Sequence, residues 1–252
     1  METGATAVET GTAAVKGGPG AALAGMRVVD LTQPLDPDIV MWPGAPAPVA
    51  ETILTVAHDG FYNRKITVVE HTGTHFDAPC HMVEGAASVD AIPPDRLVRP
   101  MVVIDVSAEI AGNPDGVLTL EHVRAFEERH GRIPDDAAIF VRTGWEEFNR
   151  DPARYANHPG ELRFPGFGPE AARFLVEERK AAGLGIDTLG IDPGCATDFV
   201  VHRTVSHPRG LWHVENLMNL KGLPPLGGLV FVGVLKLVDG SGGPCRVLAL
   251  VP

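Results

Sequence analysis

The chain has 252 residues, of which 44% are hydrophobic and 21% charged, and its net charge at pH 7 is −11. This supplies enough apolar sequence for the core of one large domain or two small ones. The excess of carboxylates argues against a general nucleic-acid binder, which needs a basic face, and disfavours docking on an anionic membrane.

Cysteine content and targeting signals bear on the cellular compartment. The three cysteines, Cys80, Cys195 and Cys245, form no C-x-x-C pair, so a disulfide framework is not expected. No apolar run reaches the roughly 20 residues of a membrane helix, and residues 1–25 lack the basic and apolar segments of a secretory signal. We therefore expect a soluble protein of the reducing cytoplasm.

Strand patterns recur along most of the chain. Residues 1–25 are mostly Ala, Gly, Thr and Val and predict a disordered tail, followed by one domain over residues 26–252. β-branched content, alternation and short apolar runs predict the strands. These cover residues 26–31, 49–58, 64–70, 101–106, 137–145, 185–192, 229–238 and 245–251.

Two helices are predicted between the strands. One covers residues 119–131, with Thr119 as N-cap and a glycine at its end; the other covers residues 168–183, with Pro169 at its first position. Strands and helices alternate in the middle of the chain, and strand pairs flank them. The pattern predicts an α/β fold in which helices pack on a mixed sheet.

Metal-ligand side chains crowd into one short stretch, EHTGTHFDAPCH at residues 70–81: His71, His75, Asp77 and His81. Neutral imidazoles and ionised carboxylates bind a metal when they converge on one point. A helix would turn Asp77 away from His71 and His75, and an extended strand would spread the set over roughly 33 Å. We expect a bent loop, with bends at Gly73 and Pro79, to bring them together.

The segment HTGTHFDAPCH, residues 71–81, resembles the H-x-G-T-H-x-D-x-P-x-H signature of the metal-dependent cyclase family, which includes bacterial kynurenine formamidase and isatin hydrolase. Three further segments are similar to the family: MWPGAPAP at 41–48, VRTGW at 141–145 and VHRTVSHPRGLWHVENLMNLKGLP at 201–224. The resemblance covers the chain from about residue 26 to its end.

The resemblance implies five ligands for one or two divalent metal ions, Zn or Mn: His71, His75, Asp77, His202 and Glu215. His71, His75 and Asp77 would hold the first ion, and Asp77 would bridge it to a second ion held also by His202 and Glu215. His81 would be the catalytic acid and base, and Trp42 would contact the substrate. The implied fold is a swivelling β/β/α arrangement, and the implied assembly is a homodimer or homotetramer.

Two features separate this chain from the kynurenine formamidase pattern. Twelve residues lie between His202 and Glu215, one more than in that pattern, and Thr74 stands where that pattern tends to carry alanine. Both resemble the branch of isatin hydrolase. Part of that branch has glutamine at the glutamate position and binds one metal, whereas the ionisable Glu215 favours a second. The substrate and the number of metals stay open.

Other reactive side chains lie near these positions. His207 and His213 fall between the two predicted ligands of the second segment, and either could substitute for a ligand, although the turn-like SHPRG favours a structural role for His207. Asp192 precedes a proline and is expected to cap a turn, and Arg203 could hold a carboxylate. Cys80 is expected to pack rather than to react.

The residues and the resemblance together favour a metal-dependent hydrolase of C–N bonds other than peptide bonds. The substrate would be a cyclic amide or an aryl formamide, such as isatin or formylkynurenine. A metal ion would make hydroxide available at neutral pH, and His81 would carry the proton to the leaving nitrogen. The alternatives are a metal-dependent cyclase or dehydratase acting on a small carbonyl compound, and a metal-dependent binding protein without turnover.

Overall fold

A computed structural model describes residues 25–157 and 159–252. The predicted tail therefore lies outside the described residues, apart from Gly25. The strands, in chain order, are β1 (Arg27–Asp30), β2 (Val49–Leu54), β3 (Asn63–Thr67), β4 (His75–Asp77), β5 (Val98–Asp105), β6 (Val117–Leu118), β7 (Ala138–Arg142), β8 (Gly166–Phe167), β9 (Gly183–Ile186), β10 (Trp212–Glu215), β11 (Gly228–Val234) and β12 (Gly242–Val251).

The helices are short. The α-helices are α1 (Val56–Asp59), α2 (Ser107–Ile110), α3 (Leu120–His130), α4 (Pro152–Ala156) and α5 (Pro169–Glu177). A π-helix covers Val201–Ser206, and 3₁₀ turns cover Pro79–His81, Val89–Ala91, Pro94–Leu97, Trp145–Phe148 and His207–Arg209. In the described part of the chain, no helix is both long and apolar enough to cross a membrane.

One mixed sheet organises the molecule. Its strand order is β1-β12-β11-β5-β7-β9-β10-β4, and β4 pairs also with β12. The sheet therefore closes into a ring, to which β1 is added on the edge of β12. β5, β7, β9 and β10 are parallel, and the remaining pairings are antiparallel. This confirms the predicted α/β fold with a mixed sheet.

The strands of the ring bury two different faces. Alternate residues of β4, β5, β7, β10, β11 and β12 form one apolar cluster that includes Phe76, Phe140 and Trp212, and we take this as the ring interior. β9 contributes glycines here: a Cβ at Gly183 would lie 2.4 Å from the Trp212 ring, and one at Gly185 would lie 2.6 Å from Phe140. The glycines thus admit the large aromatic side chains. The opposite face packs against α3 and α5.

Several predicted boundaries differ from the structure. The helix from Thr119 is confirmed, with a capping box between Thr119 and His122. The second helix starts at Pro169 as predicted but ends at Glu177, because residues 183–186 are needed as the strand between β7 and β10. The predicted strand 49–58 ends at Leu54 and gives way to α1, and the predicted strand 185–192 stops at Ile186.

Asp187 explains why β9 ends where it does. Its carboxylate accepts hydrogen bonds from the Thr143 N–H (2.8 Å), the Thr143 hydroxyl (2.7 Å) and the Gly144 N–H (2.8 Å). These bonds turn the chain after β9 onto the end of β7. Burial raises the pKa of Asp187 to about 6 against the opposing effect of the Thr143 and Gly144 bonds.

The raised pKa of Asp187 predicts a pH-dependent loss of stability. Between about pH 4 and pH 6 the unfolded chain releases the Asp187 proton while the folded chain keeps it, so the free energy of unfolding falls as pH rises through this window. The loss is on the order of 3 kcal/mol and is constant above the window. Asp187→Asn should lack this slope in urea titrations from pH 4 to 7.

Asp105→Asn provides a control of opposite sign. Burial raises the pKa of Asp105, but its hydrogen bonds with Ser107 and Arg142 outweigh burial and lower it. The free energy of unfolding of the wild-type chain should therefore increase with pH relative to that of this variant. Parallel pH slopes for the wild-type and Asp187→Asn proteins would show that Asp187 is not protonated in the folded state.

Candidate metal centre

Strand register places four polar side chains on one surface. In the antiparallel pair β4–β10, His213 lies opposite Asp77 and Glu215 lies opposite His75. Because side chains alternate along a strand, these four share a face, and the intervening Phe76 points into the apolar cluster. All four are at least nine-tenths buried. Strand pairing alone therefore joins the segment at 71–81 to the segment at 202–215.

His71 reaches the same surface from the turn before β4. On its other edge β4 pairs with β12, where Gly242 lies opposite Asp77. A Cβ at Gly242 would lie 2.6 Å from His71 Cε1. Gly242 therefore leaves the space in which the His71 ring approaches Asp77, with 2.7 Å between His71 Nδ1 and Asp77 Oδ1.

Two carboxylates lie at the centre of the cluster, and both face His75 and His202. Asp77 Oδ1 lies 3.2 Å from His75 Nε2, and Asp77 Oδ2 lies 3.5 Å from His202 Nε2. Glu215 Oε2 lies 3.5 Å from His75 Nε2, and Glu215 Oε1 lies 3.3 Å from His202 Nε2. His75 and His202 thus stand on opposite sides of the same pair of carboxylates, which is an arrangement suited to one or two cations.

Hydrogen bonds fix which nitrogen of His75 and His202 faces the carboxylates. The Nδ1–H of His75 donates to the Gly73 carbonyl at 2.9 Å, and the Nδ1–H of His202 donates to Asp192 Oδ2 at 2.6 Å. Asp192 also accepts the backbone N–H groups of Val201 and His202. The Nε2 atom of each ring is left to face Asp77 and Glu215, where it would give its lone pair to a metal ion in place of a proton.

A chain of hydrogen bonds orients His71 in the same way. The Ser241 hydroxyl donates to Glu70 Oε2 at 2.6 Å, and the His71 Nε2–H then donates to Ser241 Oγ at 3.0 Å. This leaves the Nδ1 lone pair of His71 directed at the cluster. Three imidazoles from two distant segments therefore direct one ring nitrogen each to one place, so the residues fit a divalent metal ion.

The electrostatics of the cluster favour added positive charge. Burial opposes ionisation of Asp77, but His75, His202 and His71 outweigh it and hold the pKa of Asp77 well below its usual range. Burial likewise disfavours a charged His75, yet Asp77 and Glu215 raise its pKa to about 9. The carboxylates Asp192, Asp77 and Glu215 raise the pKa of His202 against burial. A divalent cation would satisfy this negative potential.

A cavity of about 430 Å³ opens beside the cluster and is lined by all seven predicted site residues: Trp42, His71, His75, Asp77, His81, His202 and Glu215. His81, on the 3₁₀ turn after β4, has its ring centroid 4.0 Å from that of His71. Trp42 lies at the apolar end, with its ring 6.2 Å from Phe199 and 6.3 Å from Phe164. The structure thus brings together residues from three distant segments.

Some residues of the site carry no signal in the sequence. Ser241 and Glu70, which orient His71, and Phe199, which faces Trp42, were not anticipated. Asp192 was expected to cap a turn, and it does so, but it also binds the His202 ring. The position of Asp192 near a predicted strand end, ten residues before His202, could have indicated that the two side chains pair. Nothing in the segment DGSGG distinguishes Ser241 from its neighbours.

Comparison with known proteins identifies relatives over most of the chain. The family model Cyclase, described as "Putative cyclase", matches residues 29–193. Isatin hydrolase from Roseibium aggregatum is 35% identical over 192 residues, which are 73% of this chain and 72% of that protein. Kynurenine formamidase from Bacillus cytotoxicus is 25% identical over 225 residues, 87% of this chain and 95% of that protein.

Solved structures show the same fold. Isatin hydrolase A from Labrenzia aggregata, solved with bound benzyl benzoate, superimposes with a TM-score of 0.84 and 39% sequence identity. The match covers 92% of this chain and 96% of that one. The similarity therefore extends beyond the residues matched by the family model and includes the segment that carries His202 and Glu215.

The Asp192–His202 bond yields a prediction about metal affinity. In Asp192→Asn the amide can no longer both accept the His202 Nδ1–H and accept the two backbone N–H groups, so the ring loses its fixed orientation. Affinity for Zn²⁺, measured by competition with a chelator, should fall about 10- to 100-fold. The exposed Asp198→Asn is the matched control and should bind as the wild type does. Unchanged affinity in Asp192→Asn would show that ring orientation does not depend on Asp192.

Proposed function

Because this chain belongs to the Cyclase family, we propose that it is a metal-dependent hydrolase that opens a cyclic amide of the isatin type. Its activity falls in the class of amidohydrolases acting on C–N bonds other than peptide bonds, to which its isatin hydrolase and kynurenine formamidase relatives belong. The higher identity to isatin hydrolase favours the lactam over an aryl formamide of the formylkynurenine type.

We propose five residues as the metal ligands: His71, His75, Asp77, His202 and Glu215. The observation that supports the proposal is the shared orientation of the three imidazoles. Each has one ring nitrogen bound away from the cluster and the other directed at the buried carboxylates. Mixed nitrogen and oxygen donors suit Zn and Mn alike, and two opposed half-sites allow one or two ions. A bound divalent ion would supply a Lewis acid for the amide carbonyl and lower the pKa of a water molecule.

The apolar end of the cavity is suited to a flat aromatic ring. Trp42 is 38% exposed, and it lines the cavity together with Phe199. A bicyclic substrate held against these rings would direct its polar carbonyl edge towards Asp77 and His81. Burial of the ring by stacking thus supplies binding energy, and the polar end supplies orientation.

His81 is placed to transfer the proton. Burial lowers its pKa to about 4, with Asp77 opposing this shift and His71 and His202 reinforcing it, so the ring is neutral at pH 7. A neutral imidazole can accept a proton from the attacking water and return it to the amide nitrogen as the C–N bond breaks. The products are a carboxylate and an amine on one opened molecule.

We also propose that the chain assembles with itself and works in the cytoplasm. The hairpin β2–α1–β3 exposes large apolar side chains, among them Val56 (67%), Tyr62 (59%) and Ile66 (59%), as an interface would. A homodimer or homotetramer would cover them. All three cysteines are free, which suits a reducing compartment.

Replacement of His81 tests the proposed chemistry. His81→Asn should lower kcat for isatin hydrolysis about 10²- to 10⁴-fold because the proton acceptor is lost, while metal content measured by elemental mass spectrometry stays at the wild-type value. The exposed His58→Asn is the matched control and should keep both. Formylkynurenine, assayed in parallel, decides between the two substrate classes.

Three results would contradict this proposal in different ways. Full turnover by His81→Asn would remove its role as acid and base. Turnover of formylkynurenine without turnover of isatin would overturn the lactam assignment and leave the amidohydrolase class. A wild-type protein that binds no Zn²⁺ or Mn²⁺ after reconstitution would overturn the five-ligand site.

A further inference from the structure

Two more imidazoles lie next to His202. His207 and His213 are 1% and 0% exposed. Their rings stack, with centroids 4.2 Å apart and an interplanar angle of 21°. The His213 ring centroid is 4.6 Å from that of His202, and the His207 centroid is 5.2 Å from it. Neither residue belongs to the five proposed ligands.

The hydrogen bonds of His207 leave one lone pair without a partner. The His207 ring is buried beside His202. Its Nδ1–H donates to the Leu211 carbonyl at 3.0 Å. Its Nε2 is buried and finds no hydrogen-bond partner among the described residues. In a neutral ring whose Nδ1 carries the proton, Nε2 has a lone pair that no donor among the described residues meets.

His213 also has one bound and one unpartnered ring nitrogen, but here Nε2 is bound and Nδ1 is unpartnered. The Ser206 hydroxyl donates its proton to the Val201 carbonyl at 2.7 Å, so the contact of 2.7 Å between Ser206 Oγ and His213 Nε2 requires the proton to lie on Nε2. His213 Nδ1 then carries the lone pair. Within residues 25–157 and 159–252 this buried atom also has no hydrogen-bond partner.

The two residues with unpartnered nitrogens belong to one group of potential ligands. His207, His213, His202 and Asp77 each offer a ligand atom, and the four atoms lie within 4.8 Å of one another. His213 stands opposite Asp77 in the sheet, and the π-helix that ends at Ser206 carries His202 and leads into His207. Three imidazoles and one carboxylate are a ligand set typical of zinc-class ions.

We propose that His207 Nε2 and His213 Nδ1, with His202 and Asp77, form a nitrogen-rich binding site for a divalent cation of the zinc class. This site deepens the proposed metal-dependent function and rests on it, since His202 and Asp77 belong to both ligand sets. An ion held there would lie further into the protein than one held between His202 and Glu215. A second ion held near His71 and His75 would face the cavity.

Packing alone does not account for the two rings. Apolar side chains of similar size would fill the same space without burying two lone pairs that lack donors, which costs free energy. Instead, each ring has its second nitrogen bound away from the group, as in His71, His75 and His202. Five imidazoles thus share the orientation that a metal ligand needs.

The ligand set also implies a preference among metals. Imidazole donors favour Zn²⁺, Co²⁺ and Ni²⁺, whereas Mn²⁺ favours carboxylates and water. The site formed by His202, His207, His213 and Asp77, here called the inner site, has three nitrogen ligands and one oxygen ligand. It should therefore select ions of the zinc class. The outer set, with His71, His75, Asp77 and Glu215, is balanced between nitrogen and oxygen and should accept Mn²⁺ as well.

The experiment uses the full chain, stripped of metal and loaded with Zn²⁺ alone or Mn²⁺ alone. X-ray absorption at the zinc edge, with one equivalent bound, should show about three imidazoles in the shell. In a His207→Gln/His213→Gln variant the imidazole count should fall, and the tightest Zn²⁺ binding should weaken at least about tenfold. Mn²⁺ affinity should stay unchanged. His58→Gln is the matched control.

The possible failures are distinguishable. A wild-type zinc shell with only one or two imidazoles overturns the inner site, and this measurement does not depend on whether the variant folds. A folded double variant with unchanged Zn²⁺ affinity and an unchanged number of imidazoles around the zinc would also overturn the inner site. If the protein still binds metal and hydrolyses its substrate, the proposed function stands. Absence of both metal binding and hydrolysis in the wild type would overturn the proposed function and this site together.

Discussion

The buried carboxylate of Asp77 is the constraint on which the rest of the site depends. It is 1% exposed and carries negative charge in a place where water does not reach it. A charge in such a place persists only when partners compensate it. Imidazoles from two distant segments do so, and β4 holds them there because it pairs with β10 on one edge and with β12 on the other. Closure of the sheet and assembly of the site are therefore the same event.

The three imidazoles that face the carboxylates donate their other ring N–H to three different kinds of acceptor. A backbone carbonyl holds His75, a carboxylate holds His202, and a serine hydroxyl backed by Glu70 holds His71. Each takes the proton of one ring nitrogen and leaves the other free. A stronger acceptor makes its imidazole more basic, so the three ligands should differ in donor strength although they are the same residue type.

Part of this site could be predicted from the sequence because four of its residues lie in one short segment. The signature at 71–81 named four residues of the cavity, but the expected bent loop is in fact a short strand, with His75 and Asp77 on one face and turns that carry His71 and His81. The helix start at Thr119 followed from local capping. Ser241, Phe199 and the ring contact of Asp192 did not, because each depends on pairing between segments far apart in the chain.

The place of β12 in the ring has a consequence for how the protein comes to be folded. β12 is synthesised after the other strands of the sheet, yet it pairs with β1, β4 and β11 and its glycine makes room for His71. Earlier segments can form α3 and the parallel strands while the chain emerges. The ring cannot close, and the charged cluster cannot leave water, until residues 242–251 arrive. A metal ion would therefore be captured late in biosynthesis, after β12 has been synthesised.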